Sequence, residues 1–302
     1  MEESIYNRRN STGDEEIRYI GLWEDEYPER LKRIENPPAG IYVKGSLPKE
    51  EVMTIGIVGT RMCSEYGRKA AQEFSQALCE AGVQIISGMA KGIDGISQKA
   101  AIEADGHTFG VLGCGLNVVY PLQNAEIFSR ICEKGGLISE FSPNTPPIAR
   151  NFPIRNRIIS GLSDILLVIE ARQRSGTGIT VTRALEQGKD VYALPGRIYD
   201  PLSEGCNRLI AQGAGIAVSP EEFINNLGIC RKKTEGENKK NINLLEKKEK
   251  VVYSVLDLYP KGLEEIASET GMHISAILEI LIKLELKGYI REDGKNHYVK
   301  LE

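Results

Sequence analysis

Several common kinds of chemistry find little in this sequence to work with. Its 302 residues include only three histidines, His107, His273 and His297. His107 opens an apolar run and the other two lie near the C-terminal end, so no Ser-His-Asp set can be assembled. The six cysteines, Cys63, Cys79, Cys114, Cys132, Cys206 and Cys230, show no C-x-x-C pair and no ligand-like spacing. That argues against a zinc site or disulfide framework and for the reduced thiols of a cytosolic protein. No run of about 18 apolar residues is present, so no membrane span is expected. The start, "MEESIYNRRNSTGDEE", has no apolar signal region, and a cytoplasmic location is the expectation. An excess of positive charge is also missing: 38 Lys and Arg face 42 Asp and Glu, for a net charge of −4 and a pI of about 5.7. Whole-protein attraction to nucleic acid is thereby excluded, and any anionic ligand needs a local patch.

What is present is a regular alternation. Apolar runs at 54–59, 83–88, 107–113, 137–141, 164–171, 190–196 and 215–219 are separated by glycine-rich turns and helical stretches such as "SEYGRKAAQEFSQALCEAG" and "GITVTRALEQG". Continuous Val/Ile/Leu runs between helices imply strands buried on both faces, hence a parallel sheet. The fold class expected is α/β, an extended Rossmann-type, doubly wound, mainly parallel sheet. Residues 1–15 read as a disordered tail and 16–51 as a lead-in segment of two short amphipathic pieces packing on the main domain. The Rossmann-like domain then covers 52–227, and a lysine-rich linker covers 228–245. Residues 246–302 carry three helical stretches and two strand-like runs around Asp293-Gly294, the pattern of a small winged helix.

In such a sheet, ligands bind beyond the carboxyl ends of the strands, and three turns there carry chemistry. The first strand ends in Gly59-Thr60-Arg61, with Ser64 as an expected helix cap. It is not the G-x-G-x-x-G fingerprint, and no suitably placed acid follows the second strand, so a nicotinamide cofactor is not indicated. The second ends in "SGMAKGID", with Lys91 exposed or phosphate-facing and Asp94 as an expected helix cap. After the fifth, Ser175, Gly176, Thr177 and Gly178 precede a helix and offer backbone N–H groups to an anion; no Lys-Ser/Thr follows to make a Walker A loop.

The strongest concentration lies in "ARNFPIRNRIISGLSD". Over residues 146–183 six arginines (Arg150, Arg155, Arg157, Arg172, Arg174, Arg183) face Asp164 and Glu170 alone, a local balance of +4. Arginines beside an aromatic, Phe152, are the parts of a single-strand nucleic-acid site, phosphate grips with a ring that stacks on a base. The plainer reading is an arginine cluster paired with acids or with a partner subunit around a core phenylalanine.

Taken in order, "YPERLKRIENPPAGIYVKG", "GIVGTRMCSEYG", "SGMAKGID", "GCGLNVVYP", "ISEFSPNTPPIARNFPIRNRIISGLSD", "ALPG" and "GCNRLIAQGA" resemble the DNA-processing protein A family (DprA, also called Smf) from Tyr27 to Leu301. The resemblance implies a non-enzymatic, homodimeric protein without a cofactor. Such a protein binds single-stranded DNA in a basic pocket and loads a RecA-type recombinase onto it in natural transformation or related recombination. By motif position it implies a pocket of Arg61, Arg150, Phe152, Arg155 and Asn156, with Lys91, Ser175 and Thr177 beside it. Arg157 is expected to face inward to an acid and brace the loop. The chain departs from the family pattern at three places. Thr177-Gly178 stands where Ser-Leu is usual, Gln98 where a histidine often follows Gly-Ile-Asp, and Leu122 where a basic residue often follows Tyr-Pro.

Two other functions use similar loops. A phosphoribohydrolase of the lonely-guy type needs a glutamate three residues beyond Thr177, and the sequence has Thr180 there. A sensor of small nucleotides needs the same turns, although one small ligand has no use for an extended row of cations. The winged helix is not expected to read duplex DNA. Its third helix, "ISAILEILIKLELKG", lacks arginine, and residues 246–302 hold nine basic against eleven acidic residues. A protein contact or a regulatory role is the expectation for it.

Overall fold

The computed structural model describes residues 16–173, 175–229 and 245–301. The expected tail, most of the expected linker, Arg174 and Cys230 lie outside the described residues. The chain divides into a larger unit within residues 16–62 and 71–229 and a smaller one within 63–70 and 245–301.

The larger unit begins with β1 (Arg18–Gly21), α1 (Glu29–Lys32) and β2 (Gly40–Gly45). There follow β3 (Thr54–Val58), α2 (Glu65–Glu80), β4 (Gln84–Ser87), α3 (Ile93–Glu103), β5 (Thr108–Val111), α4 (Ala125–Arg130) and β6 (Gly136–Ser139). It continues through α5 (Asn151–Leu162), β7 (Ile165–Val168), α6 (Gly176–Glu186), β8 (Asp190–Ala193), α7 (Glu204–Ala211), β9 (Gly215–Ile216) and α8 (Pro220–Asn226). All nine strands form one sheet in the order β1-β2-β6-β5-β4-β3-β7-β8-β9. Every pair from β6 to β9 is parallel. Every residue of β3, β4, β5, β6 and β7 is buried, because helices cover both faces, and the continuous apolar runs follow from that. The chain leaves β3 toward β4 on one side and returns to β7 on the other, so the winding reverses at β3, where such sheets bind ligands.

Two elements differ from expectation. The lead-in segment joins the sheet: β2 pairs antiparallel with β6, and β1 with β2. Tyr27 is buried and donates its hydroxyl to the Pro38 carbonyl (2.9 Å), fixing the connection. The arginine-rich stretch after residue 150 is the helix α5. Pro153 occupies its first turn, where an N–H has no intrahelical acceptor, so the proline starts the helix instead of breaking it. Ser64 caps as expected, its Oγ accepting from the Gly67 amide (3.1 Å).

Besides residues 63–70 at the start of α2, the smaller unit holds α9 (Lys247–Val255), β10 (Lys261–Gly262), α10 (Leu263–Thr270), α11 (Ile274–Leu286), β11 (Ile290–Glu292) and β12 (His297–Lys300). Its sheet runs β10-β12-β11, all antiparallel, with Gly294 at φ +91° in the hairpin. Val252, Leu256, Ile266, Ile277, Leu281, Leu284 and Ile290 form its core. This is a winged helix. Glu249, buried at the start of α9, accepts two bonds from Lys287 Nζ (2.7 and 2.9 Å), and that contact holds its carboxyl below the usual glutamate range.

Candidate nucleic-acid interface

The candidate site lies beyond the carboxyl ends of β3, β4 and β5 and is closed from above by the first turn of α5. Phe152 is its centre. The ring is half-buried and rests on Gly113, just after β5; a Cβ at residue 113 would meet Phe152 Cδ1 at 2.7 Å, so the position requires glycine. The guanidinium carbons of Arg61 and Arg155 each lie 5.9 Å from the ring centroid, within reach of the quadrupole of its face. Tyr120 approaches at 5.6 Å between centroids with a tilt of 41° and is 43% exposed.

The two arginines beside the ring differ in environment. Arg61 is exposed and pairs with no acidic side chain among the described residues. Arg155 is 4% exposed. Its Nη1 donates to the carbonyls of Gly88 (2.6 Å) and Val111, tying the ends of β4 and β5 together, and its Nε donates to Asn156 Oδ1 (3.3 Å). Burial pulls its guanidinium down to about 10, opposed by the charge of Asp94, so it remains a cation at neutral pH. Its position departs from the expectation of a phosphate-gripping side chain. Three residues along α5 from Phe152, it faces the sheet, and strand-end carbonyls are what it meets there.

Asp94 is the counter-charge. The sequence predicts a helix cap at this position, but Asp94 sits inside α3 and its Oδ2 accepts from the Gly88 amide (3.1 Å), holding the β4–α3 turn. Burial pushes its carboxyl up, and Arg155 with the Ala90 and Gly88 amides opposes the shift. The same turn is held from outside by Asn124, whose Nδ2 donates to the Met89 and Ala90 carbonyls (both 2.9 Å). It carries Lys91, exposed and unpaired among the described residues. Gly92, at φ +73°, brings it against the backbone of Thr60 and Arg61, where a Cβ would meet the Thr60 carbonyl at 2.4 Å.

Arg150, the residue before α5, is exposed and also unpaired among the described residues. Arg157 faces inward as expected: Nη1 and Nη2 donate to the two oxygens of Glu140 (2.8 and 2.7 Å), and Nε donates to the Asn36 carbonyl (3.1 Å). Arg183 pairs with Glu186 (2.8 Å). The arginine-rich region is thus partly internal, and the exposed cations on the strand-end turns and at the start of α5 are Arg61, beside the Phe152 ring, Lys91 and Arg150.

Ser175 and Thr177 stand one strand over, at the end of β7. Ser175 is the residue before α6, its hydroxyl shielded from solvent and without a hydrogen-bond partner; Thr177 is buried in the first turn. Thr180, at the place where a phosphoribohydrolase needs its glutamate, is buried in the helix. Sequence reasoning does not single out Tyr120, Asp94 as a partner for Arg155, or Asn124. An aromatic in the loop after β5 is the one available signal for Tyr120. The rim also carries two apolar side chains, Met62 (80% exposed) and Leu122 (76%).

No helix among the described residues is long and apolar enough to cross a membrane, and no group of three or more His, Cys, Asp or Glu among them could hold a metal ion.

Comparison with known proteins covers both units. The family model of DNA recombination-mediator protein A matches residues 18–228, and that of the DprA winged helix domain matches 239–294. Protein Smf of Escherichia coli (strain K12) is 46% identical over 202 residues, 67% of this chain and 54% of that protein, so the chain matches about half the length of that relative. DNA processing protein DprA of Bacillus subtilis (strain 168) is 40% identical over 212 residues, 70% of this chain and 71% of the relative. Two solved structures are similar. DNA processing protein A from Streptococcus pneumoniae has a TM-score of 0.66 at 39% identity, covering 69% of this chain and 74% of that one. DNA processing protein A from Helicobacter pylori, solved for its single-stranded DNA binding mode, has a TM-score of 0.63 at 27% identity, covering 71% and 97%. Fold and sequence thus agree, and the chain belongs to the DNA recombination-mediator protein A family.

Proposed function

We propose that the chain binds single-stranded DNA at the Phe152 rim and acts, without catalysing a reaction itself, as a recombination mediator. The observation that carries the reading is an exposed arginine, Arg61, 5.9 Å from the ring of an aromatic pair (Phe152, Tyr120), with the exposed Lys91 and Arg150 on the adjoining β4–α3 turn and at the start of α5, all at the strand ends of an otherwise acidic protein. The cations track phosphates and the rings take bases, a combination that is tolerant of sequence. Asn156 accepts from Arg155 Nε, Ser175 and Thr177 offer the N–H groups of their turn, since the Ser175 hydroxyl is shielded and Thr177 is buried, and Arg155 supports the surface from beneath. Loading of a RecA-type recombinase, a homodimeric state, a cytoplasmic location and a place in natural transformation belong to the same reading. Membership of the family supports them.

The deciding experiment is fluorescence anisotropy of a labelled oligo-dT, with duplex competitor, across a salt series. Salt-sensitive binding that duplex does not displace is the expected result, with a slope of about 0.7 per neutralised phosphate. No binding at low salt would overturn the proposal.

A further inference from the structure

The winged-helix unit has an apolar surface that its own core does not use. In α11 the inner face, Ile277, Ile280, Leu281 and Leu284, is buried in the core. A second apolar row, Ile274, Leu278, Ile282 and Leu286, runs along the helix at four-residue spacing, and three of its members are exposed by 43%, 56% and 84% (Ile274, Ile282, Leu286). In a winged helix the corresponding surface often meets a nucleic-acid groove. Here its charged neighbours are Glu279, Glu285 and Lys283, while Lys287 is engaged with Glu249. A row of isoleucine and leucine beside carboxylates is unsuited to phosphates and suited to another helix.

We propose that this row is a homotypic contact in which α11 packs antiparallel against α11 of a second copy of the chain. The row reads nearly the same in both directions: reversed about its midpoint, Ile274 falls opposite Leu286 and Leu278 opposite Ile282, as an isologous two-fold contact requires. Four-residue spacing makes a continuous ridge, the kind that packs into the groove of a like helix. The charges choose the direction. Glu279 and Lys283 flank the row on one side, both exposed and neither in an ion pair among the described residues, although Lys283 adds to the positive field at Glu249. Antiparallel packing brings the same flank of both copies together and sets Glu279 of each copy near Lys283 of the other, two attractions, whereas parallel packing puts these flanks on opposite sides of the pair and gains neither. One helix pair is a small interface, of the transient class, so the contact forms and breaks with concentration. The inference deepens the homodimer reading without depending on it, since a dimer held elsewhere in the chain would survive the changes below.

The test uses the full chain, as a mixture of isotopically light and heavy protein, with a benzophenone side chain at position 286 and cross-linked peptides read by mass spectrometry. Light-to-heavy cross-links from position 286 to the segment around Ile274 are expected. Glu279→Lys and Lys283→Glu should each cut their yield about tenfold, since two attractions become two repulsions. An equimolar mixture of the two single variants should recover it, because the lysine introduced in one variant then meets the glutamate introduced in the other. Both sites are exposed, and circular dichroism checks that the variants fold. The proposal is overturned by an absence of cross-links between copies, by cross-links joining the two 286 positions, or by a variant mixture no better than either variant alone.

Discussion

The rim of the large sheet and the third helix of the winged helix are both places where their folds commonly meet nucleic acid, yet only the rim is built for it. At the rim, Arg61, Lys91 and Arg150 are exposed and form no ion pair among the described residues, and Arg61 lies beside an aromatic pair. On α11 the outward residues are mainly isoleucine, leucine and glutamate, with Lys283 as the one exposed cation of the helix, and the basic Lys287 beyond it is spent on a buried carboxylate. Architecture proposes a surface, and the side chains standing free on it decide what it can hold.

The largest effect expected falls beneath the rim. Arg155→Ala leaves the carbonyls of Gly88 and Val111 without their donor and Asp94 without its counter-charge, at a cost of about 3–5 kcal/mol in stability. Urea denaturation measures it, and the protein that remains folded should keep the wild-type salt slope for oligo-dT. A reduced slope with unchanged stability would show instead that Arg155 grips phosphate. Next comes Phe152→Ala, which should weaken oligo-dT binding by about 1–3 kcal/mol at every salt concentration if the ring stacks on a base. Arg61→Ala should lower the salt slope by about 0.7, the loss of one phosphate contact, with unfolding unchanged.

In the winged helix the expected effect is on pH dependence. The Lys287 contact lowers the carboxyl pKa of Glu249 in the folded state, so the stabilisation is fully present above the ordinary glutamate range. It is lost as pH falls through that range toward the lowered value. Glu249→Gln should flatten this acid-side loss in unfolding monitored by circular dichroism. The smallest effect sharpens the contrast between the two surfaces: Lys295→Ala, in the exposed hairpin, should leave oligo-dT affinity within error of wild type.

Much of this architecture can be read in the chain. Buried parallel strands need apolar residues on both faces, so β3, β4, β5 and β7 stand out as continuous runs. The turns after them follow from glycine placement, and Arg61 and Phe152 from motif and position. What cannot be read is direction. Arg155 and Arg157 look like Arg150 in a sequence, but the phase of α5 turns one to strand-end carbonyls and one to Glu140. That phase is hidden because Pro153 and the polar neighbours of Phe152 look like loop. The antiparallel β1 and β2 are hidden as well, since four- and six-residue strands beside Pro37-Pro38 carry too little alternation to register.

Phe152 rests on the bare backbone of Gly113, and Arg155, one turn along the same helix, is fastened to two strands. The ring is therefore preorganised: its rotamer is chosen when the chain folds. A flexible single strand reaching this platform bears nearly all of the ordering entropy itself, and the protein bears little. Tolerance of base sequence then has a thermodynamic counterpart, in that softer, less self-stacked strands are the ones that settle there at least cost.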